Sequence, residues 1–391
     1  MWRRIALSTQ GLWGNIDARI REKQWTSTFI NLVRHWFSHA GTSLLSFKCH
    51  LFTIDGVELL LSPYRFRRLT LYLEPGIWDR LLDLPESVLM DLEELDLMIF
   101  QDSDDRDNVP PFPMPQRFPR LTDLRFTIQV IGTVPVNLQV FELPWTRIRI
   151  FHLVGLAVSL SAIHKVLRHC RVFEKLKADV GVHDIQSTRT SELITSTTLR
   201  KLKLTFVQVE GLTTLIHSLM LPNLIALYLR SCGDRLPWTE RINQLLIERF
   251  NLLKIKSFSV DSVSPQNLVF ALLRNALHLR KLELPNTFFL AQEVLHGFSS
   301  GALCPCLTTL DGPSFDSDVI VDIIETRQET AMKQKEQYDK GELSRDFEPI
   351  TRLERVNLFW MFYGHINSNY KEIQRRIKVL NDVWKMRISL Y

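Results

Sequence analysis

The sequence predicts an α/β fold built as a repeat array, in which short parallel strands alternate with helices. Three observations carry this. The chain has 391 residues, and a single hydrophobic core stops growing at about 250–300 residues, so either two domains or a repeat array is required. A short apolar phrase recurs along the chain at a nearly constant step. Each copy closes in strict apolar–polar alternation, and helix-period segments lie between the copies.

The phrase is a large apolar residue, two arbitrary residues, an apolar residue, one arbitrary residue and a last apolar residue. It stands at Leu92/Leu95/Leu97, Leu121/Leu124/Phe126, Leu138/Phe141/Leu143 and Ile148/Phe151/Leu153. Further copies are Phe173/Leu176, Leu199/Leu202/Leu204, Leu224/Leu227/Leu229 and Leu279/Leu282/Leu284, with weaker ones at Phe258/Val260, Leu307/Leu310 and Leu353/Val356/Leu358. From Phe151 the middle residues advance by 25, 26, 25, 31, 24 and 28 positions, close to the roughly 20–29 residues of a leucine-rich repeat. Between residues 124, 141 and 151 the step is irregular.

The alternating residues predict strands with one buried face. Between them, Ser159 to Cys170 carries Leu160, Ile163, Val166 and Leu167 on one helical face, with Ser159 as N-cap. Leu212–Leu219, Thr239–Phe250 and Ser264–Leu277 have the same period, Ser264-Pro265 being a helix start, and Val319, Ile320, Ile323 and Ile324 mark another helix. A strand–helix–strand unit of this length leaves room only for parallel strands joined by crossovers. One unit cannot bury its own apolar face; its neighbours bury it, and the end units need caps. Ile373, Ile377, Leu380, Trp384 and Ile388 form one helical stripe, expected to be the C-terminal cap, although the basic residues around it also suit a membrane surface or an acidic partner.

The expected organisation is an N-terminal segment 1–45 with a helical cap, a solenoid over 46–328 with strands concave and helices convex, a charged insertion at 329–349, and a last strand and capping helix at 350–391. The polar stretch from Thr330 to Glu348 suits a mobile insertion or a fraying helix extension. Asp102–Asp107 followed by Val109–Pro115 is a charged, proline-rich loop.

The net charge of +5 comes from 48 basic and 43 acidic residues, too dilute to argue for nucleic acid. Five irregularly spaced cysteines suit free thiols in a reducing compartment. Met1-Trp2-Arg3-Arg4 has no apolar run behind it and so is not expected to be a signal peptide. The longest apolar stretch, Leu153–Ile163, is about half a membrane span. A cytoplasmic or nuclear protein with no membrane partner is expected.

No catalytic, cofactor or metal site is expected. Gly297-Phe-Ser299-Ser-Gly301 has the spacing of a nucleophile elbow, but the preceding residues Ala291–His296 are helical in pattern where a strand is needed. His35 and His39 lack the glutamate of a zinc-protease helix, Trp36 standing in its place. Cys304-Pro-Cys306 has no second pair, and Asp102–Asp107 lacks the glycine and the final glutamate of a calcium loop.

In each strand the residue between two inward apolar side chains points to the open face. These positions are Tyr72, Asp96, Arg125, Glu142, His152, Lys177, Lys203, Tyr228, Ser259, Glu283 and Asn357. Stacked, they make a strip of mixed charge with two tyrosines. Tyrosine and arginine often anchor protein interfaces, and mixed sign suits a protein better than a phosphate backbone. The expected partner is therefore a protein held on this concave strip.

Leu143-Pro144-Trp145-Thr146 before a strand, Val158–Ser161 leading into a helix that ends Leu167-Arg168-His169-Cys170, and the next strand at Phe173–Lys177 resemble the F-box/leucine-rich-repeat proteins of mushroom-forming fungi. Trp2, Ile5 and Leu7, then Leu12 and Trp13, are similar to the tail of an F-box running into the repeats. Leu32–Trp36 and Ser43–Ser46 fit the family's next helix and strand. The resemblance implies the substrate-recognition component of an SCF ubiquitin ligase. The upstream F-box helices that dock on a Skp-type adaptor are missing from this sequence, so the alternative is a repeat scaffold without a ubiquitin-ligase role.

Overall fold

In the computed structural model, residues 9–19, 26–52, 56–57, 64–73, 77, 80, 84–100, 118–129, 134–136, 143–181, 193–261, 263–264, 267–285, 292–314, 317–344, 349–359 and 370–390 are described. The chain divides into two compact units, Met1–Thr190 and Ser191–Tyr391. Both are mixed α/β, and each is organised around parallel strands.

In the first unit the elements run β1 (Asn15–Arg19), α1 (Ser27–His39), β2 (Leu45–Phe52), β3 (Phe66–Leu73), α2 (Glu86–Leu89), β4 (Glu94–Phe100), β5 (Asp123–Gln129), β6 (Val134–Val136), β7 (Ile150–Val158), α3 (Leu160–His169) and β8 (Lys175–Val180). The strands lie in the order β1-β2-β3-β4-β5-β7-β8, all parallel, with β6 beside the end of β7. Alternation explains the burial. Leu69, Leu71 and Leu73 of β3 and Leu95, Leu97 and Ile99 of β4 are buried, whereas Arg68, Thr70, Tyr72, Glu94, Asp96 and Met98 are not. Each fully buried leucine contributes on the order of 1.5–3 kcal/mol. Ser159 caps α3 by accepting from the Ala162 N–H at 3.2 Å, and Leu160, Ile163, Val166 and Leu167 face inward.

The irregular step near residue 141 is a correction to the repeat pattern. Leu124 pairs directly with Phe151 and Phe126 with Leu153, so β5 and β7 are neighbouring rungs. Leu138 and Phe141 lie outside the described residues, and Leu143 is a buried residue ahead of a turn, in no strand. Three rungs ahead of Leu92 were also missed by the pattern: β1 pairs Ile16 with Phe47 of β2, and β2 pairs Phe47 with Leu69 of β3.

β7 carries a bulge between Leu153 and Ala157. Gly155 sits in it at φ +82°, and a Cβ there would lie 1.9 Å from the Ile128 carbonyl oxygen. Its N–H donates to the buried Asp179 carboxylate at 2.6 Å, so an acidic side chain of the next strand replaces the lost ladder bond.

The second unit runs β9 (Ile194–Thr195), β10 (Lys201–Phe206), α4 (Gly211–Ser218), β11 (Leu219–Met220), β12 (Ala226–Ser231), β13 (Leu236–Pro237), α5 (Glu240–Arg249), β14 (Ser257–Val260), β15 (Val263–Ser264), α6 (Asn267–Leu273), β16 (Lys281–Glu283), α7 (Gln292–Ser300), β17 (Thr309–Ser314), α8 (Ser317–Asp339), β18 (Arg355–Phe359), α9 (Tyr370–Trp384) and β19 (Arg387–Leu390). Its parallel path is β10-β12-β14-β16-β17-β18-β19, with small pairs β9–β11 and β13–β15. Strand entry is repetitive: the carbonyls of Arg200, Ile225, Lys256, Arg280 and Thr308 each accept from two successive amides of the next strand. Leu202, Leu227, Phe258, Leu282, Leu310 and Val356 follow one another in register, as the repeat spacing predicts.

Two sequence expectations change here, and an open one is decided. Ser264 lies in β15 and α6 begins at Asn267, so Ser264 does not start the helix. Of the two readings of the polar stretch after residue 329, the helix extension holds as far as Asp339, where α8 ends, and Gly341 follows with φ +75°. Ile388 belongs to β19, paired with Val356, because α9 stops at Trp384; Ile373, Ile377 and Leu380 are buried from the helix as expected. Arg376 ties α9 to α8 through Asp322 at 2.6 Å and Glu325 at 2.5 Å.

At the centre of this C-terminal part is Arg327 of α8, fully buried. Its guanidinium donates to the carbonyls of Phe298 (2.6 Å), Pro305 (2.9 Å), Cys304 (3.1 Å), Thr351 (3.2 Å) and Leu307 (3.4 Å). Burial pushes its pKa down to about 10, which leaves it charged at neutral pH. Beside it, Gln328 donates to the Leu353 carbonyl at 2.7 Å and accepts from the Leu353 N–H at 3.1 Å.

Candidate functional site

The outward residues of each unit fall into register rows. In the first unit one row runs Asp17, Lys48, Thr70, Asp96, Arg125, His152 and Lys177. All but the exposed Asp17 are half-buried, since neighbouring strands about 4.8 Å apart shield one another's side chains. Opposite charges meet along it. Lys48 lies 3.7 Å from Asp17, and Arg125 lies 3.7 Å from Asp96. Burial raises the Asp96 carboxyl above the ordinary carboxylate range, and the Arg125 charge opposes that without cancelling it.

Tyr72 departs from the expected row. It pairs with Met98 one outward position further along the strands, and its ring stacks on His50 with centroids 4.3 Å apart. His50 in turn lies 3.6 Å from Asp17. Glu142 lies outside the described residues. Asp17, Lys48 and His50 were not singled out by sequence, although alternation in Ile16–Ala18 and Phe47–Cys49 carries the signal.

In the second unit the row is Lys203, Tyr228, Ser259, Glu283, Asp311 and Asn357. Ser259 is buried, a correction to its expected open position. Tyr228 is the centre of a cationic cluster. Lys201 and Lys203 stand with their ammonium nitrogens 4.9 and 5.9 Å from its ring centroid, and its hydroxyl shares a hydrogen bond with Ser257 at 2.7 Å. Lys281 pairs with Glu283 and lies 3.5 Å from Asp311, to which the Asn357 amide also donates. Burial pushes Glu283 up, but its bond to Lys281 and that lysine's charge outweigh burial and hold it below its ordinary value. Lys281 and Asp311 were missed by sequence because β16 and β17 are short or weak copies.

Of the F-box-like positions, Trp2, Ile5 and Leu7 lie outside the described residues. Leu12 is exposed, and Trp13 packs edge-on against Trp36 of α1 with centroids 4.6 Å apart.

The remaining candidate motifs have structural explanations. Ser299 lies in the last turn of α7, which ends at Ser300, and its hydroxyl donates to the His296 carbonyl at 2.9 Å. His35 and His39 face each other with Nε2 atoms 3.3 Å apart. Among the described residues no group of three or more His, Cys, Asp or Glu side chains could hold a metal ion, and no helix is long and apolar enough to cross a membrane. None of the five cysteines is in a disulfide; burial raises the thiols of Cys49, Cys170 and Cys304 to about 12.

No protein-family model matches the sequence, and no curated protein sequence matches it.

Proposed function

We propose that this chain is a leucine-rich-repeat-like solenoid that binds a protein through the outward rows of its parallel strands, and that it serves as the substrate-recognition component of an SCF-type ubiquitin ligase. It would act by holding its partner, with no reaction of its own. One observation carries the binding half: in each unit, side chains from successive strands are held in a register row of mixed charge with an aromatic residue in or beside it. Such rows present a surface already ordered by the ladder, so little side-chain entropy is lost on binding. The ubiquitin-ligase half rests on the resemblance of the Leu143–Thr146, Val158–Cys170 and Trp2–Trp13 phrases to the fungal F-box/leucine-rich-repeat proteins.

The test is affinity purification with quantitative mass spectrometry, using two row variants. One combines Asp96→Ala, Arg125→Ala and Lys177→Ala; the other combines Lys203→Ala, Tyr228→Ala and Glu283→Ala. A row that holds a partner should lose it by about thirtyfold or more, the effect of a single interface residue worth ~2 kcal/mol. Variants at Lys165 and Arg168 on α3 should retain it. An unchanged partner set in both row variants refutes the binding surface. A protein partner recovered without a Skp-type adaptor would instead mark the chain as a scaffold.

A further inference from the structure

A second row in the first unit lies at the entry to the strands. Arg68, Glu94, Asp123 and Ile150 are register partners, and the residue three positions before each is Arg65, Asp91, Arg120 and Arg147. The repeat therefore brings three arginines and one aspartate from four successive units to one place. They line a single surface cavity of about 580 Å³ together with Tyr64 and Met90.

The aspartate organises the arginines. Asp91 is buried and accepts from Arg65 Nε at 2.5 Å and from Arg120 Nη1 at 2.7 Å. Arg120 spends one of its five N–H groups in this way. Arg147 donates through Nη1 to the Pro119 carbonyl at 2.6 Å, and among the described residues its positive charge has no carboxylate partner. Among the described residues, three positive charges against one negative leave an excess in a concave site, with most donors of Arg120 and Arg147 uncommitted. Planar guanidinium forks of this kind match oxyanions bidentately. The Tyr64 hydroxyl is tied to the Arg34 carbonyl at 3.0 Å, which fixes its ring as one wall, and the exposed Met90 side chain is an apolar contact beside it.

We propose that this cavity binds a phosphate monoester, its phosphoryl group held by Arg120 and Arg147 and its organic group against Tyr64 and Met90. The volume falls within the ~300–1,000 Å³ range of small-molecule sites, and so exceeds what a bare oxyanion fills. The site does not depend on the outward rows of the strands and stands or falls separately from them.

The experiment is isothermal titration of the full chain with phenyl phosphate, inorganic phosphate and phenol. Phenyl phosphate should bind saturably and more tightly than inorganic phosphate, and phenol should not bind. Arg147→Gln, which among the described residues removes a single side-chain bond to one carbonyl, should fold normally and weaken phenyl phosphate by about tenfold, the loss of one charge-assisted bond. Arg120→Gln should weaken it likewise. Arg200→Gln removes a matching arginine–carbonyl bond in the second unit, to Asn223 at 3.2 Å, and should leave binding unchanged. The proposal is overturned if phenyl phosphate shows no saturable binding, if it binds no more tightly than inorganic phosphate, or if Arg147→Gln binds it as the wild type does.

Discussion

Replacing Arg327 by methionine tests the account of how the second unit is held together. The substitution keeps an unbranched apolar stem of similar reach and deletes every donor of the guanidinium. Five carbonyls lose a partner, but not equally. Phe298, Cys304 and Pro305 also accept from the backbone amides of Gly301, Leu307 and Thr351, so their loss is partial. Two carbonyls, those of Leu307 and Thr351, lose most, at ~1–3 kcal/mol each. Against this stands the relief of no longer desolvating a charge, itself several kcal/mol, which makes the net loss smaller than the sum of bonds. We expect a destabilisation of about 2–4 kcal/mol for Arg327→Met, and a smaller one for Arg327→Lys, whose ammonium has three donors. Urea unfolding would give the size of the effect, and hydrogen exchange by mass spectrometry would place it. Faster exchange should appear in segments 298–307 and 351–353, where the clamped carbonyls lie. Unchanged exchange there in Arg327→Met would refute the claim that the guanidinium holds these loops.

Two further outcomes follow from the first unit. Gly155→Ala should destabilise by about 3 kcal/mol or more, because the backbone is left-handed there and the added methyl meets the Ile128 carbonyl; a thermal midpoint within a degree of wild type would contradict the bulge. Asp91 is held below its ordinary carboxyl value by its hydrogen bond and ion pair with Arg65, burial opposing, with Arg120 adding to the effect. Its contribution to stability is therefore complete above the unfolded value near 3.8 and is lost as pH falls through the lower folded value. Asp91→Asn should remove that acid dependence, measurable as a smaller fall in unfolding midpoint between about pH 5 and about pH 3.

The rungs were legible in the sequence because burial in a strand is a local property. Leu202 and Leu204, or Leu227 and Leu229, alternate with polar neighbours whatever they pair with, and the step between copies reports the repeat length. The helices Ser159 and Thr239 begin were legible for the same reason: Thr239 accepts from the Ile242 N–H at 3.2 Å, a bond between residues three apart. Errors arose where a local pattern has two readings. Ile388 continues a helical stripe in sequence, yet the chain turns at Lys385 with φ +52° and the residue joins β19. Leu138/Phe141/Leu143 imitates a rung, yet β5 already has β7 as its neighbour.

The amino-acid sequence by itself determined the strand–helix alternation, the inward leucines and most of the outward positions. Only the tertiary structure decided which outward residues share a row, that Tyr72 stacks on His50 away from its expected neighbours, and that Arg65, Asp91, Arg120 and Arg147 line one cavity. It alone placed Arg327 among five carbonyls contributed by α7 and by distant loops. Periodicity is set by each residue's own backbone, whereas a polar side chain's partners lie some twenty-five residues away, and whether a charge is solvated, paired or clamped depends on what the neighbouring repeats bring beside it.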